Sequence, residues 1–338
     1  MDPLSDVLRA VRLDGAFFYV AEAAAPWSLA VAPARELEPR PLPDAEHLIA
    51  YHIMTSGTCW VGVEGEEQVL LQPGDAIVFP HGDAHFASSQ RGQRVQPGRY
   101  TKAPEGPLRT VRVGAASGEH ASLVCGFLGC DAHPYNPLLA ALPRSLHVRG
   151  VATGWLAEFP RQVVAEAWQT RAGGSTMLTR MAELMFVEVV RRYTEDLPPQ
   201  QDGWLAGLRD PVVSPALAAL HARPAHGWTL AELSRVAASS RTVLTERFSQ
   251  TVGLPPMQYL TEWRLQLAAE QLATGSRKVA AVGADVGYES EAAFSRAFKR
   301  STGYAPAAWR RMRQGREAPT ASLSGLRDTT TTTPGSAP

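Results

Sequence analysis

Cysteine is scarce: Cys59, Cys125 and Cys130 are the only three in 338 residues. So small and odd a set excludes the disulfide framework of a small secreted domain, and the thiols are expected to be reduced. Long apolar runs are missing too. No stretch of about 18 apolar residues occurs, which speaks against a membrane-spanning helix and a membrane partner. The opening residues, MDPLSDVLRAVRLDG, lack a charged segment followed by an apolar one, so no secretory leader is expected and the protein is read as cytoplasmic. Net charge is absent as well, because 33 Lys and Arg balance 33 Asp and Glu. That balance hides a division. Residues 208–313 hold 14 Lys and Arg against 8 Asp and Glu, an excess of six positive charges that the rest of the chain offsets. A basic segment joined to an acidic remainder fits nucleic-acid binding by one part only.

A chain of this length is expected to form about two domains. Pro198-Pro199 followed by Gln200-Gln201-Asp202-Gly203 punctuates it. We therefore expect a first domain over 5–196, a linker over 197–207 and a second domain over 208–313. Residues 314–338 are rich in Thr, Ser, Pro and Gly, with Thr329 to Thr333 as a homopolymer, and are expected to be a disordered tail.

In the second domain one pattern occurs twice. Thr229 to Phe248 reads as helix, tight turn and helix, and Val279 to Phe298 repeats it about fifty residues on. In each copy a serine, Ser240 or Ser290, is placed to cap the second helix by accepting its orphan amides. Leu244, Phe248 and Val252 recur at four-residue spacing in one copy, and Phe294 and Phe298 in the other. Each second helix thus keeps one face for packing and leaves the other free for a partner. Between the copies, a helix opening at Pro256 carries Tyr259, Leu260, Trp263, Leu267 and Leu272 as a packing stripe. Eighteen residues at about 1.5 Å each separate the copies by roughly 27 Å, which with side offsets suits two major-groove segments one turn apart.

Arg264 with Leu267-Ala268, Gly287-Tyr-Glu-Ser290, Phe294-Ser-Arg-Ala-Phe298-Lys-Arg, and Gly303 with Pro306 and Trp309-Arg310 resemble the AraC/XylS family of transcription regulators. The resemblance spans about 100 residues, from near Asp210 to Arg313. It implies that the second helix of each motif, Ser240 to Thr251 and Ser290 to Ser301, reads double-stranded promoter DNA. By position it implies contacts from Ser240, Arg241, Thr242, Thr245 and Glu246 in the first copy, and from Ser290, Glu291, Ala292, Ser295, Arg296 and Lys299 in the second. Among these, Glu246 suits a cytosine amino group and Arg296 a guanine edge. The sequence departs from the family pattern at Ser234, Ala238 and Ser239, where alanine, glycine and methionine are frequent, and at Gly283, where alanine is common. These are mostly exchanges among small residues, and they bear on turn geometry more than on fold.

The first domain reads differently. Short apolar runs at Phe17–Val20, Leu48–Met54, Cys59–Val63, Gln68–Leu71 and Ala76–Phe79 alternate with Gly, Pro and Asp turns, as in a β-sandwich or barrel. Ser56-Gly57, Pro73-Gly74-Asp75 and Phe79-Pro-His-Gly82-Asp-Ala-His85 resemble a cupin of the type that precedes many AraC-like DNA-binding domains. The fold class expected is therefore multidomain α+β: a cupin-like β-barrel with flanking helices, then an all-α double helix-turn-helix domain.

The cupin resemblance implies a small-molecule, metal or redox sensor. Metal-dependent cupin enzymes carry a His-x-His pair and a glutamate, whereas here His52 stands alone with His47 five residues earlier. That departure argues against catalysis, so no catalytic residue is assigned. His52, His85 and Cys125 have the residue types of a zinc site, and Cys125 with Cys130 could form an oxidant-sensing pair. Each cysteine also fits, and fits better, the role of a small buried hydrophobe. Ser175 to Tyr193 spreads Met177, Leu178, Met181, Leu184, Met185, Val187 and Val190 over more than one helical face, which suits packing on the barrel and on a second subunit of a homodimer. RNA polymerase is a further partner should the protein act as an activator. Two alternatives remain at this stage: a cupin metalloenzyme with a DNA-binding appendage, and a constitutive DNA-binding dimer with an inert barrel.

Overall fold

The computed structural model describes residues 2–316 apart from 38–41, 43–44, 94–99, 103–108, 115–116, 133, 150–154, 170 and 199–201. Of the expected tail, residues 317–338 lie outside the described residues. The chain begins with helix α1 (Pro3–Ala10), capped by the Asp2 carboxylate, which accepts from the Ser5 amide. There follow β1 (Leu13–Ala24), β2 (Ser28–Val31), β3 (His47–Ser56), β4 (Cys59–Val63), β5 (Val69–Leu71), β6 (Ala76–Phe79), β7 (His85–Ser88), β8 (Tyr100–Lys102), β9 (Arg109–Gly114) and β10 (His120–Cys130). Helix α2 (Pro137–Ala141), β11 (Leu146–Val148), α3 (Trp155–Gln169) and α4 (Gly174–Asp196) complete the first half.

The strands form a seven-stranded sheet in the order β11-β6-β3-β10-β1-β9-β8 and a four-stranded sheet in the order β2-β7-β4-β5. Only the β1–β9 pairing is parallel among those described. β3 reads as a nearly continuous apolar run because both of its faces are covered. Leu48, Ala50 and Met54 point to the second sheet, where they meet Cys59, Val61, Val63 and Leu71. Ile49, Tyr51 and Ile53 point the other way, toward the helices. The expected strands all form where the apolar runs lie. At Gly57 the turn takes φ +71°, and a Cβ there would lie 2.1 Å from the His120 carbonyl oxygen, so only glycine fits. α4 buries Ala182, Met185, Phe186, Val189 and Val190 in the same apolar cluster, while Met177 and Leu184 remain 53% and 58% exposed.

The second half is helical: α5 (Trp204–Gly207), α6 (Val213–Ala222), α7 (Leu230–Val236), α8 (Arg241–Val252), α9 (Pro256–Thr274), α10 (Val279–Asp285), α11 (Glu291–Thr302) and α12 (Pro306–Arg316). Its two parts differ in how they are anchored. Trp204, Leu217, Leu244, Phe248, Tyr259 and Trp263 belong to one apolar cluster with Val7, Leu138 and Leu142 of the first half. Leu272, Val282, Phe294, Phe298 and Trp309 form a separate cluster. α9 supplies side chains to both, so this one helix joins the two cores. Each fully buried large apolar side chain contributes about 1.5–3 kcal/mol. No helix among the described residues is long and apolar enough to cross a membrane.

Candidate nucleic-acid interface

The first motif begins with a capping box. Thr229 Oγ1 accepts from the Glu232 amide at 3.2 Å, and Glu232 Oε2 accepts from the Thr229 amide at 2.8 Å. α7 ends at a turn where Ala238 takes φ +46° and the Ser239 amide donates to Ser234 O at 2.9 Å. In the second motif Gly287 takes φ +91° and the Tyr288 amide donates to Gly283 O at 2.9 Å. The two turns are therefore built alike, except that the second has one more residue before its capping serine. Ser240 and Ser290 cap α8 and α11 by accepting from the Val243 and Ala293 amides, each at 3.2 Å. Both second helices end at a left-handed glycine, Gly253 and Gly303.

Packing fixes which face looks outward. Leu244 and Phe248, like Phe294 and Phe298, are fully buried. Gly283 explains one departure from the family pattern: a Cβ there would lie 3.0 Å from two carbons of the Phe294 side chain. On the outer face of α8, Arg241, Thr242 and Glu246 are exposed, while Thr245 is half-buried and donates its hydroxyl to Arg241 O at 2.8 Å. On α11, Glu291, Ala292, Arg296 and Lys299 are exposed and Ser295 is half-buried. The structure thus brings the expected residues to two outward faces, and it employs the hydroxyls of Ser240 and Ser290 in capping. Sequence reasoning passed over Val243, 47% exposed on α8, and Arg300, exposed beside Lys299. Val243 immediately precedes the anchor Leu244, which was signal enough to place it at the edge of the outer face. Arg247 is committed elsewhere, since its Nε donates to Asp210 Oδ2 at 2.6 Å.

Comparison with known proteins agrees with this geometry. Residues 2–195 match the family described as Cupin, and residues 233–312 match the helix-turn-helix domain family. The chain is 33% identical over 316 residues to a putative AraC-like transcription regulator of Streptomyces antibioticus, covering 92% of this chain and 99% of that one. This chain belongs to the AraC family of transcription regulators. It is also 29% identical to the HTH-type transcriptional regulator AlkR of Acinetobacter baylyi, covering 79% of this chain and 89% of that one. The crystal structure of the DNA-binding domain of AdpA in complex with a target DNA aligns to 32% of this chain and 96% of that one, at 28% identity and a TM-score of 0.30. As an AraC-type protein with a cupin domain, the chain is a DNA-binding transcription regulator.

The AraC-type regulator's cupin domain holds a small polar cluster between its two sheets. His52 Nε2 lies 2.8 Å from His85 Nε2, and His85 Nδ1 lies 2.9 Å from Asp83 O. A carbonyl only accepts, so His85 carries its proton on Nδ1 and His52 donates from Nε2. His52 Nδ1 is then a buried acceptor without a hydrogen-bond partner. Burial holds the His52 imidazole well below the ordinary range and brings His85 down to about 4, so both rings are neutral near pH 7. Phe79 stacks on His85 with ring centroids 3.9 Å apart.

Cys125 lies opposite His52 across the β3–β10 ladder and shares a hydrogen bond with Tyr19. Among the described residues, no three His, Cys, Asp or Glu side chains form a group that could hold a metal ion. The expected zinc ligands His52 and His85 thus meet, and Cys125 does not complete a ligand set with them. The expected redox pair is corrected more firmly. Cys125 and Cys130 lie five residues apart on β10, so their side chains leave opposite faces of the sheet, and each belongs to a different apolar cluster. Five residues of strand span roughly 16 Å, against a Cα limit of about 7 Å for a disulfide. Burial also pushes the Cys125 and Cys130 thiols up, and Cys59 to about 12.

Proposed function

We propose that this regulator reads promoter DNA with α8 and α11 together and that a signal at its cupin domain alters how it does so. The observation that carries the reading is the presentation of two exposed polar helix faces from the ends of one buried helix, α9. Its 19 residues span about 28 Å, near the 34 Å or so of one DNA turn. In this reading Arg241, Thr242, Thr245, Glu246, Glu291, Ala292, Ser295, Arg296 and Lys299 meet DNA, and Ser240 and Ser290 set the helix starts. α11, with exposed Arg296, Lys299 and Arg300, is the more cationic face and makes the stronger phosphate contribution.

Met177 and Leu184 on α4 form the seam of a homodimer, which would bring four helix-turn-helix units to a repeated site. The protein works in the cytoplasm as a regulator rather than an enzyme, with RNA polymerase as the partner that receives its output. For the signal, the structure offers a cavity of ≈ 380 Å³ at the barrel mouth, lined by Arg35, His47, Glu64, His81, Asp83 and Arg144 among others. One observation favours a second reading, constitutive binding with an inert barrel: the side chains between the sheets are closely buried. The test is selection of bound duplexes from random DNA, followed by titration with Arg296→Ala. Arg296→Ala should lose about 1–3 kcal/mol on the selected site and much less on other DNA. An equal loss on all sequences would assign Arg296 to phosphate and refute its place at a base edge.

A further inference from the structure

We propose that Arg313, gripped by Glu46 and Asp131, is an interdomain latch by which the cupin domain sets the pose of the second helix-turn-helix. This rests on the reading that both motifs engage one stretch of DNA. The first motif shares an apolar cluster with α1 and α2 and so moves with the cupin domain. The second has its own cluster, built from α9 to α12. Apart from the apolar contacts of the shared helix α9, polar contacts tie that unit to the cupin domain.

Arg313, at the end of α12, is 9% exposed. Its Nη1 donates to Asp131 Oδ1 at 3.0 Å and its Nη2 to Glu46 Oε2 at 2.8 Å. The guanidinium lies 4.5 Å over the ring of Trp309, a member of the second motif's own core. A companion contact comes from Gln266 on α9, whose Nε2 donates to Ala10 O at 2.8 Å and whose Oε1 accepts from the Tyr135 amide at 3.1 Å. Arg12 faces both Asp131 and Glu270 of α9.

The two carboxylates occupy one place in the cupin sheet. His47 and Cys130 form the last register pair of the β3–β10 ladder, and Glu46 and Asp131 are the residues just beyond it. Glu46 Oε2 also accepts from the Ala132 amide at 3.0 Å, and the Asp131 amide donates to Val11 O at 2.9 Å. Glu46 and His47 line the ≈ 380 Å³ cavity at the barrel mouth. A molecule seated there, or a shift of the ladder, acts directly on the latch. Because the guanidinium is buried and the Glu46 and Asp131 carboxylates are only 17% and 20% exposed, each lost bond leaves poorly solvated charge, which disfavours a half-released state. The latch is therefore open or closed. When open, α10–α12 keep their packing on α9 and the contact of the Gly287 turn with the loop at Ala225, and lose their polar tie to the cupin domain, so the pose of α11 relative to α8 is less constrained.

Hydrogen–deuterium exchange on the full-length protein without DNA tests this, with Arg313→Gln, the milder Glu46→Gln and the conservative Arg313→Lys. Exchange in α10–α12 should rise roughly tenfold in both glutamine variants, with α6–α8 and the barrel strands unchanged and Arg313→Lys in between. Unchanged exchange in α10–α12 would overturn the latch. So would an increase spread evenly over the barrel and both motifs, which would make Arg313 a general structural tie. The measurement needs no DNA, so it decides the latch even if the unaltered protein fails to select a DNA site.

Discussion

The two turns make a matched pair of substitutions with opposite expected signs. Ala238 is held at φ +46°, in the left-handed region, and its methyl group is exposed. A residue with a Cβ costs about 1–2 kcal/mol in that conformation, and glycine adopts it freely. Against this, glycine adds roughly 0.4–1 kcal/mol of conformational entropy to the unfolded chain. Ala238→Gly should therefore stabilise the domain by about 0.5–1 kcal/mol. At Gly287 the reverse change meets both strain and overlap. A Cβ would lie 2.7 Å from Ala225 O and 2.9 Å from Arg264 Nη2. Arg264 cannot yield without cost, because it donates to Pro224 O at 2.7 Å and to His226 O at 2.8 Å. Gly287→Ala should lose about 2 kcal/mol or more. Thermal unfolding followed by circular dichroism would show Ala238→Gly raising Tm by a few degrees and Gly287→Ala lowering it by more, at about 2–4 °C per kcal/mol. If Ala238→Gly lowers Tm, the claim that this turn stores backbone strain is refuted.

Acid should destabilise the cupin domain through its histidine pair. The His85 imidazole falls from 6.5 to about 4 on folding, so the unfolded chain takes up its proton first. The stability tied to neutral His85 is fully present above pH 6.5 and lost as pH falls toward about 4, roughly 3 kcal/mol in all. His85→Gln, which keeps an acceptor for His52, should flatten urea midpoints measured between pH 7.5 and 4.5, and parallel curves for the two proteins would count against the assignment. Mild peroxide should leave Cys125 and Cys130 unjoined, as peptide mapping under non-reducing conditions would show. A Cys125–Cys130 crosslink would contradict their placement on opposite faces of β10.

The helix-turn-helix repeat was legible because its determinants are local. The capping serines Ser240 and Ser290 act over three residues, and the anchors Leu244, Phe248, Phe294 and Phe298 follow the helical repeat. The apolar runs likewise placed β1, β3, β4, β5 and β6. The opposite orientation of Cys125 and Cys130 follows from the two-residue period of a strand, which residue type by itself does not carry. By contrast, nothing local shows that Arg247 is committed to Asp210, 37 residues away.

Periodicity, capping and turn residues along short stretches are enough to give two kinds of domain, the repeated helix-turn-helix and the faces its second helices bury. Which charges are exposed and which are held in pairs depends on the packing of distant segments. That packing also paired His52 with His85 inside the barrel, and it fused the first motif to the cupin core while leaving the second on a core of its own. The Arg313–Glu46 contact joins residues 267 positions apart, and no local rule couples positions so distant. They meet because α12 and the β3–β10 ladder deliver them to one largely shielded place, where water screens the pair only weakly.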